Sequence, residues 1–132
     1  MSIYLLDGEM PEFDEDGDSW DPYGLPDPFV TLSEYYSNSM VGSPAMDDTL
    51  FPDWSDNPYE WQFDTFGLWT RHFYVVDEDS AVHDIMFWCD PNMTIFERDR
   101  KHLINAFIDG EVQECIDSDT GGIIRYRAEI NY

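Results

Sequence analysis

Carboxylates are the reactive groups this sequence supplies in quantity. Asp14, Glu15, Asp16, Asp18 and Asp21 stand close together, and further acids gather at Asp47 and Asp48, at Asp53 and Asp56, and at Asp77, Glu78 and Asp79. Such runs can hold a hard cation through oxygen, or they can meet Lys and Arg side chains of a partner. An EF-hand needs Gly at its sixth loop position and a bidentate Glu at its twelfth. Counted from Asp14, those positions hold Ser19 and Leu25. Asp117, Asp119 and Gly122 suit positions one, three and six, but Ala128 occupies the twelfth. Contact with a basic partner needs no such spacing, so all of the acids named before Asp117 are the expected contact set.

Other chemistry has weaker support. His72, His83 and His102 show no HxxxH or HExxH spacing, so no local zinc site is expected. Cys89 and Cys115 have no CxxC spacing, and each falls in an apolar stretch. They are expected to be free, buried thiols and not nucleophiles. Glycine-rich phosphate loops are absent. Arg98, Arg100 and Lys101 interleave with Glu97 and Asp99, which favours ion pairing over a phosphate contact, and Arg125 and Arg127 share one strand face. Neither an enzyme nor a cofactor or metal site is expected.

The charge balance narrows the partner. Against 29 Asp and Glu stand six Lys and Arg, a formal net charge of -23. Residues 1–70 carry 16 acids and no Lys or Arg, whereas residues 71–132 carry 13 acids and all six bases. Such a field repels nucleic acid and anionic membranes and draws basic protein surfaces in rapidly. Twenty-three charges match roughly 39 Å of duplex DNA, close to the ~36 Å diameter expected of a compact chain this long. Halophilic adaptation would also give an acidic surface, but here the charge is uneven and only four Ala are present.

The elements that must position these groups follow from pattern. At 132 residues, 42% hydrophobic and 17% aromatic, the chain has the material for one folded domain. Ile3 to Leu6 reads as an edge strand, and residues 7–29 and 42–58 read as turns. Val30 to Met40 fits a short helix or a strand. Alternation from Tyr59 suggests a strand, and residues 72–78 and 81–89 read as a β-hairpin. Thr94 and Glu97 form a capping box for a helix over 95–109, ended by Gly110. Residues 111–116 and 122–130 make a closing hairpin. The expected class is α+β, with a β-β-α-β-β core over 59–132 and an acidic, loop-rich region over 1–58. The aromatics of that region either fold back on the core or form an arm that orders on a partner. The N-terminal stretch lacks a basic n-region, and no apolar run approaches 18 residues, so a cytoplasmic protein is expected.

In size, acidity and runs such as EFDEDGDSWD and VVDEDS, the chain resembles phage-encoded DNA-mimic proteins that block restriction enzymes or CRISPR effectors. The resemblance implies a nucleic-acid-mimicking inhibitor in the host cytoplasm. It would occupy the basic surface of a nuclease or similar protein and bind neither nucleic acid nor membrane directly. The alternatives are an interaction module with an acidic-aromatic recruiting arm and a halophile-adapted ordinary domain.

Overall fold

The computed structural model describes residues 2–14, 16–20, 24–33, 42–62, 71–78, 84–90 and 112–129. Within them lie seven strands: β1 (Ser2–Glu9), β2 (Pro28–Ser33), β3 (Tyr59–Gln62), β4 (His72–Asp77), β5 (Asp84–Cys89), β6 (Val112–Ile116) and β7 (Ile123–Glu129). They form two antiparallel sheets, ordered β3-β1-β7-β6 and β2-β4-β5.

Strand patterning explains which faces meet. In β7, Ile124, Tyr126 and Ala128 are buried and alternate with half-buried Ile123, Arg125, Arg127 and Glu129, the period of a sheet with one face on the core. In β1, Ile3 and Leu5 point inward, while Tyr4 on the other face stacks beneath the Arg127 guanidinium at 4.8 Å. β2 is buried almost throughout. Phe73 of β4 reaches across to Tyr126 of β7, with ring centroids 5.1 Å apart. One apolar cluster therefore draws on both sheets, and Trp54 joins it from the loop before β3. This is a β-sandwich.

The α+β expectation is overturned. The described residues are all-β, and the predicted helix over 95–109 lies outside them. Both predicted hairpins form, as β4–β5 and β6–β7. The α+β expectation also failed in reading the first 58 residues, where β1 and β2 lie, as a loop-rich region outside the β core. β1 is no edge strand, because it inserts between β3 and β7. β2, at a position read as helix or strand, pairs with β4 along its whole length. Short strands separated by long turn-rich loops carry little local signal, and their partners are far away in sequence.

The cysteine expectation is also corrected. Cys89 and Cys115 are joined in a disulfide, with Cα atoms 5.9 Å apart. It links the last residue of β5 to β6, so it ties one sheet to the other. A separation of 26 residues offers no spacing signal, because sheet packing alone brings the two together. Among the described residues no helix is long and apolar enough to cross a membrane.

Candidate functional site

Pairing registers bring the acidic loops to one end of the sandwich. Glu9 lies beside Ile123, and Pro28, Asp77 and Asp84 stand in a row across the second sheet. The loops leaving these positions contain most of the predicted contact residues.

Asp14, Asp16 and Asp18 sit in a tight loop closed by a bridge between Phe13 and Ser19. Gly17 adopts φ 82° there, a conformation that disfavours side chains with a Cβ. The Asp14 carboxylate accepts the amide protons of Asp16 and Asp18, both at 2.9 Å, as short acidic side chains do in turns. One ligand oxygen from each of the three lies within 4.8 Å of the others. Like charges that close repel by roughly 0.9 kcal/mol per pair even at the dielectric of water. Nothing cationic among the described residues is paired with them.

This loop forms one wall of an open cleft of about 760 Å³, lined by Asp14, Asp16, Phe13 and Trp20, with Asp84 from β5 and Asp119 from the β6–β7 turn. Trp20 is pinned by its indole N–H, which donates to the Pro11 carbonyl at 2.9 Å. The β6–β7 turn is closed by Asp117, whose carboxylate accepts from the Thr120 hydroxyl at 2.7 Å. Four carboxylates from three segments thus face one space. The sequence reading missed Asp84 and omitted Asp119 from its contact set. An isolated Asp before an apolar strand carries no local signal of a shared cleft.

Several other nominated acids build the loops. Asp77 is fully buried, so it is no surface contact, and its Oδ1 accepts the Asp27 amide at 2.9 Å. Asp27 in turn accepts the Asp48 amide at 2.6 Å. Asp48, at φ 52°, accepts the Leu25 amide at 2.6 Å. This relay of carboxylates and amides fastens the loop before β2 to the one before β3 and to the end of β4. Asp53 accepts from both the amide and the hydroxyl of Ser55, and these bonds hold its carboxyl below the usual range. Asp47, Asp56 and Glu78 are exposed. Glu15, Asp21 and Asp79 lie outside the described residues.

Around the acids, the same end displays apolar side chains. Phe13 at the cleft is 52% exposed, Phe51 67% and Leu25 43%. Leu50 and Pro52 carbonyls accept from Met10 and Gly8, which fixes the Phe51 loop beside the end of β1.

The chemistry of the donor set selects among metals. All the donors are carboxylate oxygens, as in calcium and magnesium sites. Oxygens bound to calcium at about 2.3–2.6 Å can stand up to roughly 5 Å apart across the ion, and the 4.8 Å limit on the Asp14, Asp16 and Asp18 group agrees with that. An all-oxygen donor set of this size suits a hard cation.

No family model matches the chain, and no curated protein matches it. Its fold is similar to part of human GIVD cytosolic phospholipase A2 in complex with methyl gamma-linolenyl fluorophosphonate, with a TM-score of 0.56 and 16% identity over 98% of this chain and 17% of that one. It is also similar to the calcium-bound pair of C2 domains of Extended-Synaptotagmin 2, with a TM-score of 0.57 and 16% identity over 96% of this chain and 43% of that one. A second structure of those two domains gives a TM-score of 0.58 and 15% identity over 97% and 40%. The chain spans less than half the length of each of these proteins, and at such identities the likeness is one of fold: the sandwich resembles a C2 domain.

Proposed function

We propose that this chain is a non-catalytic recognition module that binds calcium at its acidic loop end and, when loaded, docks onto a phosphate-bearing anionic surface such as a phospholipid bilayer. The observation that carries this reading is the convergence of Asp14, Asp16 and Asp18, with Asp84 and Asp119 facing the same cleft. The calcium named for one structure of similar fold supports it. Asp14, Asp16 and Asp18 would hold the ion, and Asp84 and Asp119 would add negative potential around it. When bound, calcium would supply local positive charge that attracts anionic oxygen. Phe13, Leu25 and Phe51 are placed to bury apolar area beside that contact. A net charge of -23 opposes approach to an anionic bilayer in the absence of the cation, so docking should be strictly calcium-dependent.

Calorimetric titration of chelator-treated protein with CaCl2 tests the first step. Saturable binding is expected, weakened at least about tenfold in the Asp14→Asn, Asp16→Asn, Asp18→Asn variant, where all three charged donors are lost. No saturable heat up to about 10 mM, beyond the weakest ordinary protein sites, would end this reading. Cosedimentation with phosphatidylserine vesicles, with calcium or with chelator, tests the second step.

A second reading keeps the nucleic-acid mimic. Its supporting observation is that Asp47, Asp56 and Glu78 are exposed and their carboxylates are engaged by no other side chain among the described residues. That reading places the protein in the cytoplasm, bound to a basic nuclease or similar protein. It requires partner capture in the presence of chelator, displaced by duplex DNA or moderate salt, and weakened by orders of magnitude when Asp14, Asp16 and Asp18 become Lys.

A further inference from the structure

We infer that the Cys89–Cys115 disulfide is a redox-labile tie that sets the shape of the acidic cleft and thereby its affinity for a cation. The inference rests on the calcium reading above for its second half and on the fold alone for its first.

The two cysteines belong to the strands that deliver cleft carboxylates from opposite sheets. β5 begins with Asp84 and ends with Cys89, and β6 carries Cys115 one residue before its end and leads into the turn that holds Asp119. Among the described residues β5 pairs with β4 and β6 with β7, and no ladder joins β5 to β6. Their relative position therefore depends on side-chain packing and on the disulfide. Packing contributes through the shared core, where Met86 and Phe87 of β5 join Ile124 and Tyr126 of β7, and most tightly where the Phe87 ring lies against Gly122, at which a Cβ would stand 2.5 Å from ring carbons. The covalent tie is the other constraint. Without it, the edges of two sheets can separate, and with them Asp84 and Asp119.

One of the two cysteines borders an approach from solvent. Both residues are largely buried, Cys89 at 5% and Cys115 at 2% exposure. Cys89 nevertheless lines a second cleft of about 630 Å³ that shares Ile85, Met86, Asp119 and Thr120 with the acidic one. Asp90, Asp117 and Asp119 line this approach, so glutathione, whose thiolate form carries additional net negative charge, is repelled more than a dithiol whose only charge is the attacking thiolate. The thiolate of the dithiol attacks one sulfur and forms a mixed disulfide, releasing the other cysteine. Its second thiol then displaces the first cysteine. Two electrons and two protons pass to the protein, leaving two thiols and a cyclic oxidised reductant.

The experiment compares the air-oxidised protein, the same protein reduced with dithiothreitol, and the Cys89→Ser, Cys115→Ser variant. Alkylation and mass spectrometry of an aliquot count free thiols in each. Amide hydrogen exchange in chelator is read first, then calcium affinity by calorimetry. Reduction should speed exchange locally over residues 84–90 and 112–122, leave β1 and β2 protected, and weaken calcium binding by on the order of fivefold or more, the lower end of ordinary coupling between sites. The serine variant should match the reduced protein. Two free thiols in the oxidised preparation, unchanged exchange after complete reduction, or loss of protection throughout the molecule would each overturn the inference. Local exchange changes with unaltered calcium affinity would overturn the claim about the cleft. If oxidised protein binds no calcium at all, the calcium reading fails, and the exchange result alone decides whether the tie exists.

Discussion

Asp53 and Asp77 show how differently two acids of one sequence can be employed. The Ser55 hydroxyl and amide both donate to Asp53 and favour its charged form, so its carboxyl titrates below the ordinary range although it is exposed. A depressed folded-state value means that its stabilising contribution is present above the unfolded value of about 3.9 and is lost as pH falls through the folded one. Carboxyl-carbon NMR titration should place the Asp53 inflection below that of a free Asp, and Ser55→Ala should raise it. Asp77, fully buried, is bonded to the amide of Asp27. Removing an acceptor from a buried donor costs about 1–3 kcal/mol. Asp77→Ala should lower stability by about that amount in urea denaturation, whereas Asp77→Asn, which keeps an acceptor oxygen, should lose less.

At the scale of elements, loops and strands are fitted by close approach. The β6–β7 turn places Gly121 at φ 78° and Gly122 against the Phe87 ring of β5. Ala at position 122 must push that ring aside in a packed core, at a cost of about 1–3 kcal/mol. Gly122→Ala should therefore lower the thermal midpoint, and it should weaken calcium binding through displacement of Asp119. A midpoint equal to that of the parent protein would show that the turn is free to shift. Arg125 is a further element-level device. It donates to Asp7 at 2.8 Å and to Glu9 at 2.7 Å, so the two acids and the base that hold β1 to β7 lie far apart in the chain. Hydrogen bonds to the Asp7 and Glu9 carboxylates raise the Arg125 pKa further above its already high ordinary value, so the guanidinium stays charged.

For the molecule as a whole, the net charge of -23 stores self-repulsion that screening relieves. The thermal midpoint should rise with NaCl. It should rise further with calcium at concentrations where NaCl has no effect, since a ligand of the native state at about a hundred times its Kd adds about 2.7 kcal/mol. Circular dichroism melts in chelator, in calcium and in matched ionic strength separate the two effects. Folding in dilute chelator-treated buffer would argue against halophilic adaptation. A rise with ionic strength alone, indifferent to calcium, would favour the basic-partner reading.

Composition and local pattern settle a good deal. The acidity, the absence of a nucleophile motif and the β4–β5 and β6–β7 hairpins are legible because alternation, turn residues and charge are properties of neighbouring positions. Asp14, Asp16 and Asp18 were legible as a group for the same reason. Long-range pairing decided the rest. β1 lies between β3 and β7 because its inward face, Ile3 and Leu5, fills a core shared by both sheets. Cys89 meets Cys115, Asp77 is withdrawn from the surface, and Asp84 and Asp119 join Asp14 and Asp16 through the stacking of two sheets. No spacing along the chain encodes such meetings, because they depend on which buried faces pack together.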